Sequence, residues 1–187
     1  MARRSQAPVT PSAAELAGAA GQPIPDVIAP DLAVLFCGIN PGLWSAVTGH
    51  HFARPGNRFW PALHRGGFTG HQFQPAEQPG LLALGLGITN VVARSSARAD
   101  DLTREELVEG GRVLTAKLTA YRPAWLAVLG IGAYRTAFGH PRATTGEQAE
   151  LIGGTRVWVL PNPSGLNAHY TLDRLAEEFA ALRAAVY

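Results

Sequence analysis

Four short apolar runs punctuate the chain, and each ends at or near a residue suited to stopping a strand. Leu32-Ala33-Val34-Leu35-Phe36-Cys37 halts at Gly38, and Gly87-Ile88-Thr89-Asn90-Val91-Val92 forms the second run. Trp125-Leu126-Ala127-Val128-Leu129 halts at Gly130, and Arg156-Val157-Trp158-Val159-Leu160 halts at Pro161. Runs that are continuously apolar rather than alternating predict strands buried on both faces, as in a parallel sheet. The intervening segments change to helical spacing. Asn57 can cap a helix reaching about Arg65, with Phe59 and Leu63 on its apolar side and Pro61 in the first turn. Thr103-Arg104-Glu105-Glu106 reads as a capping box, with Leu102 and Leu107 placed as a hydrophobic staple. That helix is expected to run to about Tyr121 and to bury Leu107, Leu114 and Leu118 despite Gly110 and Gly111. A short helix is expected after Gly130, through Tyr134 to Phe138, and a last one from about Leu172 to Val186 with Leu172, Leu175, Phe179, Leu182 and Val186 on one stripe. Strands alternating with helices predict an α/β fold, a three-layer sandwich with a short, largely parallel central sheet flanked by helices.

The first 25 residues are rich in Ala, Pro and Gly and end in Pro23 and Pro25. They are expected to form a loosely ordered extension, with at most a short helix near Ala13–Ala19, before a single domain over residues 26–187.

Composition narrows the class. The chain of 187 residues is 47% hydrophobic and 16% charged, which excludes a disordered protein. Its single cysteine excludes a disulfide framework, a cysteine-bound zinc site and a four-cysteine iron–sulfur cluster. The longest apolar run, Leu81 to Val92, is interrupted by Gly85, Gly87, Thr89 and Asn90 and falls short of the roughly 20 residues needed to span a bilayer. Arg3 and Arg4 are followed by no apolar stretch of the secretory type, so a cytoplasmic protein without a membrane partner is expected.

The net charge of +2 changes meaning when divided along the chain. Residues 32–99 carry Arg54, Arg58, Arg65, Arg94 and Arg98 against Glu77 alone. A local basic excess points to an anionic partner, and arginine forks match phosphate geometry. The dominance of Arg over Lys also fits a general preference for arginine. Arg94 and Arg98 fit phosphate contacts and solvated loop positions equally well. His50 and His51 fit exposed loop positions better than metal ligands, since no carboxylate or cysteine completes a site.

Ligands of open α/β sheets collect outside the carboxyl ends of the strands, which singles out two loops. The first, Gly38-Ile39-Asn40-Pro41-Gly42-Leu43-Trp44-Ser45, lacks the glycine spacing and the Lys of a phosphate-binding loop. It offers an amide, Asn40, at a strand end, then a rigid proline and a glycine without a side chain. An ordinary Asn-Pro-Gly turn accounts for it as well. The second, Pro161-Asn162-Pro163-Ser164-Gly165-Leu166-Asn167-Ala168, strands an apolar Leu166 among turn formers. A stiff loop with an exposed apolar tip suits insertion into a base stack, although Leu166 folded back into the core is the plainer alternative.

Together the two loops carry a family resemblance. The stretch from Phe36 to Phe68, with Phe36-Cys37-Gly38-Ile39-Asn40-Pro41-Gly42-Leu43 and Pro55-Gly56-Asn57-Arg58-Phe59-Trp60, closely resembles the mismatch-specific uracil-DNA glycosylases. These form the Mug and thymine-DNA glycosylase branch of the uracil-DNA glycosylase superfamily. Asn162-Pro163-Ser164-Gly165-Leu166 resembles that branch's second motif, and Gly110-Gly111-Arg112 and Trp158-Val159-Leu160-Pro161 also fit its bacterial members. The resemblance covers about residues 32–186.

It implies a monofunctional glycosylase, without a metal or other cofactor, that flips uracil and larger pyrimidine lesions such as ethenocytosine out of mismatched double-stranded DNA. Excision by water attack at the anomeric carbon would serve base-excision repair. By this resemblance Asn40 positions the water, and Phe52 stacks on the flipped base. Ile39, Gly42, Ser45 and Asn162 line the base pocket. Ser164, Gly165, Leu166 and Asn167 form the loop that fills the stack and meets the orphaned base, and Arg54, Arg58 and Arg94 are candidates for phosphate contacts. Double-stranded DNA with G:U or related mismatches is the expected partner, and a monomer the expected state. Gly42 stands where strict uracil enzymes carry a bulky tyrosine that bars the thymine methyl. Two positions depart from the pattern. Ala93 occupies a place often acidic in relatives, and Asn167-Ala168 replaces a common Ser-Arg. These departures keep open an alternative, a damaged-DNA-binding module with little turnover.

Overall fold

Strand β1 (Val34–Gly38) is buried along its whole length because both of its faces are covered. Val34 and Phe36 point into one apolar layer, whereas Leu35 and Cys37 point into another. Such two-sided burial selects continuous apolar runs over alternating ones. The computed structural model describes residues 10–187. Around β1 are ordered β2 (Leu86–Asn90), β3 (Trp125–Leu129), β4 (Gly146–Glu147) and β5 (Arg156–Leu160), in the spatial order β2-β1-β3-β5-β4. All pairings are parallel except the short edge strand β4 on β5. The α/β sandwich with a largely parallel sheet is thus observed.

Helix α1 (Ala13–Gly18) precedes the sheet, and α2 (Leu43–Thr48) follows β1 directly. Helices α3 (Phe59–Arg65) and α6 (Leu172–Val186) pack on one face of the sheet, and α4 (Arg104–Tyr121) and α5 (Ile131–Phe138) on the other. The first layer is aromatic. Phe36 stacks on Phe179 at 5.8 Å and meets Phe59 edge-on at 5.5 Å between ring centroids. Thr103 caps α4 through the expected box with Glu106. The two glycines inside α4 have a packing reason. A Cβ on Gly110 would lie 2.3 Å from the Val91 carbonyl oxygen, and one on Gly111 would lie 2.4 Å from that of Ala137. Their absence lets α4 lie flush on β2's exit and on α5, which offsets the weak helix propensity of glycine. Leu107 is half-buried rather than buried, since it packs at the edge of that layer.

Two segments differ from the sequence expectation. The second strand spans Leu86–Asn90 rather than the run from Gly87 to Val92, and an unforeseen 3-10 helix (Pro75–Leu84) precedes it, ended by Gly85 with its left-handed φ of +70°. The N-terminal segment is also held more firmly than expected from residue 12 onward. Ser12 caps α1 in a box with Glu15, Gly21 N–H donates to the Ser95 carbonyl at 3.0 Å, and Ser95 N–H donates back to Gln22 at 3.1 Å. Val27 exchanges backbone hydrogen bonds with Ile88, so the chain is sewn to the edge of β2 before β1 begins. Residues 1–9, the remainder of the expected extension, lie outside the described residues.

Candidate active site

Beyond the carboxyl ends of β1, β2 and β3 the chain leaves a cleft of about 420 Å³, lined by both loops singled out above. Its floor is Gly38. A Cβ there would stand 2.5 Å from Asn90 Oδ1 and 3.3 Å from Phe52 Cζ, so only glycine lets those side chains converge at the end of β1. Ile39, Asn40, Gly42, Ser45, Phe52, Arg54, Asn162, Ser164, Leu166 and Asn167 all line the cleft, together with Asn57, Asn90, Ser96 and Arg98.

Asn40 is locked in one orientation. Its Nδ2 donates to the Arg94 carbonyl at 3.0 Å and to Ser96 Oγ at 2.8 Å. The carbonyl can only accept, and Ser96 Oγ already donates its own proton to the Arg98 carbonyl at 2.6 Å, so both partners require the amide nitrogen. The oxygen Oδ1 accepts no hydrogen bond among the described residues. Ser96 is buried and is itself fixed by its N–H to the Pro41 carbonyl at 3.1 Å. Sequence reasoning missed it, because a serine 56 positions away carries no local signal. Ala93 is exposed on the turn just before Arg94 and brings no carboxylate to this cluster.

Phe52 adopts φ +55°, a left-handed conformation that bulky residues rarely accept. Its ring stacks on Phe59 at 4.1 Å and faces the cleft. His51 corrects the exposed-loop expectation, since it is only 2% exposed. Its Nε2 lies 2.9 Å from the Pro25 carbonyl, an acceptor, so the proton sits there and Nδ1 faces Asn90 Nδ2 at 3.4 Å as an acceptor. Burial, opposed by that carbonyl, holds the imidazole below its ordinary pKa and therefore neutral near pH 7. Ser45 is buried, and its Oγ accepts from Ala53 N–H at 3.3 Å. A Cβ on Gly42 would meet nothing within 4 Å, so the cleft is open at this point.

The second loop braces itself from within. Asn162 Oδ1 accepts from Ser164 N–H at 2.9 Å, and Asn167 Nδ2 donates to the Asn162 carbonyl at 3.0 Å. Asn167 Oδ1 accepts from His169 N–H at 3.2 Å, so this side chain ties the loop together rather than reaching outward. Leu166 does not fold back into the core and is 71% exposed.

Two of the three candidate phosphate contacts are engaged within the protein. Arg94 forms a forked ion pair with Glu106, and the guanidinium holds that carboxyl down to about 2. Arg58 is directed into the second loop, where it donates to the Ser164, Asn167 and Tyr170 carbonyls. Arg65 is paired with Asp173 at 2.6 Å. Arg54 is exposed on the cleft rim and forms no ion pair among the described residues. Arg98 is also exposed, 3.9 Å from Asp100. No group of three or more potential metal ligands occurs among the described residues, and no helix among them is long and apolar enough to cross a membrane.

Comparison with known proteins agrees with this architecture. The solution NMR structure of a "putative Uracil DNA glycosylase" from Methanosarcina acetivorans superposes with a TM-score of 0.60 at 19% identity, covering 89% of this chain and 99% of that one. At that identity the likeness speaks to the fold. The family model of the uracil DNA glycosylase superfamily matches residues 25–185, a span containing both cleft loops and every residue that fixes Asn40. The chain belongs to the uracil DNA glycosylase superfamily, whose members hydrolyse N-glycosidic bonds in DNA repair.

Proposed function

We propose that this protein is a monofunctional glycosylase of the mismatch-specific branch, which flips uracil from G:U and related mispairs in double-stranded DNA. The observation that carries this reading is the clamped amide of Asn40. With both N–H bonds engaged by Arg94 and Ser96, Oδ1 can accept a hydrogen bond from a water and orient it in the cleft. An amide does not titrate near neutral pH, so it positions the water without deprotonating it. Orientation is valuable here, because glycosidic cleavage passes through an oxocarbenium-like state that a weak, well-aligned nucleophile can trap.

The rest of the cleft supports the same sequence of events. Extruding a base costs a few kcal/mol, least at a mispair, and Leu166 stands ready to occupy the space behind it. The Phe52 ring, backed by Phe59, offers a face on which the flipped pyrimidine stacks. The open space at Gly42 accommodates substituents on the ring, which favours larger lesions such as ethenocytosine in addition to uracil. Arg54 and Arg98 on the rim supply cations for the backbone.

Labelled G:U duplex incubated with the protein and then treated with alkali tests the reading. Cut strands are expected. Duplex that is retarded on a gel but stays intact would instead support a damage-binding module, the reading that Ala93 favours by leaving the turn beside Asn40 without a carboxylate. Gly42→Tyr is expected to keep uracil excision and to lose ethenocytosine excision by about tenfold or more, since bulk in a preformed pocket discriminates by roughly 1–3 kcal/mol.

A further inference from the structure

Arg58 lies at the entry to α3, where its carbonyl accepts from Ala62 N–H at 2.9 Å, yet its donors are directed to the second loop. Its backbone N–H donates to the Pro163 carbonyl at 2.9 Å. Its guanidinium donates through Nη1 to the Tyr170 carbonyl and through Nη2 to those of Ser164 and Asn167, the last at 2.9 Å. One residue therefore holds the loop from 163 to 170, and the exposed Leu166 stands in the middle of that span. A planar fork with five donors suits several carbonyls at fixed angles, which a single ammonium cannot reproduce. Nε is buried with no partner among the described residues, so the side chain keeps this pose despite leaving that polar atom unsatisfied. The contact is tight on the opposite side too. A Cβ on Gly165 would lie 2.7 Å from the Gly56 carbonyl oxygen, so the loop rests directly on residues 56–58. The neighbouring Phe59 is the residue on which Phe52 stacks.

We propose that Arg58 is a positioning residue that fixes the Leu166 tip relative to the Phe52 ring, so that the wedge and the stacking platform act as one rigid unit. It makes no contact with DNA. A wedge entering a base stack must resist the stack's tendency to close, and a loop anchored at three carbonyls yields less than one held only at its ends. This inference rests on the base-flipping reading above.

A double-mutant cycle on single-turnover excision from G:U duplex tests it. Arg58→Met and Leu166→Ala are each expected to slow excision by roughly tenfold, and the double variant to be no more than about twofold slower than the worse single one, because both remove the same wedge. Arg58→Lys, which keeps a cation for a phosphate, is expected to remain as slow as Arg58→Met. Losses that multiply to about 100-fold, or recovery by the lysine, would overturn the proposal. Hydrogen exchange in the free protein provides a readout independent of catalysis. Amides of residues 164–170 are expected to exchange faster in Arg58→Met while those of β1 and β3 keep their protection, and an unchanged loop would also overturn it. If the unaltered protein leaves G:U duplex uncut, the catalytic reading fails, and the exchange experiment still decides whether Arg58 holds the loop.

Discussion

The two cleft loops solve opposite problems with the same material. The loop after β1 fixes one polar side chain, since Asn40 is half-buried and clamped by partners from a distant segment, Arg94 and Ser96. The loop after β5 projects one apolar side chain, since Leu166 is exposed while its backbone is held by Arg58. In the first loop precision lies in the side chain, and in the second it lies in the backbone. On the proposed reading the more exposed of the two residues is the mechanical one, so exposure alone would rank them wrongly.

Changes around Asn40 are expected to act on the chemical step, and one of them is a gain. Ala93→Asp would bring a carboxylate to the turn beside Asn40, able to assist the water or stabilise a cationic sugar. Single-turnover excision should rise by about 100-fold, at the low end of what a positioned acid or base contributes. An unchanged rate at matched DNA affinity would show that Asn40 works without such help. Ser96→Ala is expected to be smaller and opposite in sign. It removes one of the two acceptors fixing Asn40, and excision should slow by about tenfold with DNA affinity intact, equivalent to one hydrogen bond of roughly 1.4 kcal/mol. A loss of binding instead would place Ser96 on the DNA rather than behind Asn40.

The smallest effect concerns the support shared by the cleft and the N-terminal segment. His51 is neutral in the folded protein because burial lowers its pKa, whereas in the unfolded chain it titrates near the ordinary value of about 6.5. Below that value the unfolded chain binds the extra proton first. His51's contribution to stability is therefore fully present above about pH 6.5 and lost as pH falls toward the folded value. Melting temperature measured from pH 8 to pH 5 should fall more steeply for the unaltered protein than for His51→Gln. Parallel curves would contradict the assignment.

Much of the fold was legible in the sequence. The bounds of β3, β5, α4 and α6 follow from their apolar runs and caps, because two-sided burial and helical stripes are local patterns. Helix α2, of only six residues, was not legible, since it starts at Gly42 without a side-chain cap and has no room for a periodic stripe. The charge pattern pointed to an anionic partner without showing which arginines are free to meet it. Five arginines against one glutamate over residues 32–99 suggested a basic face, but Glu106 and Asp173, which pair with Arg94 and Arg65, come from later in the chain. Arg58 is engaged by carbonyls, which no count of charges reveals. Part of the cleft's lining was legible, since Asn40, Phe52 and Leu166, all singled out from the sequence, meet there. What holds them (Ser96, His51 and Arg58) depends on contacts between segments far apart in sequence.

The central claim is that Asn40, oriented by Ser96 and the Arg94 carbonyl, positions the attacking water. Single-turnover excision of uracil from a G:U duplex, measured for the unaltered protein and for Asn40→Ala with duplex affinity determined in parallel, tests it most directly. Cleavage by the unaltered protein is expected, with a loss of about 100-fold or more in the variant and affinity little changed. A variant that cleaves as fast as its parent would contradict it.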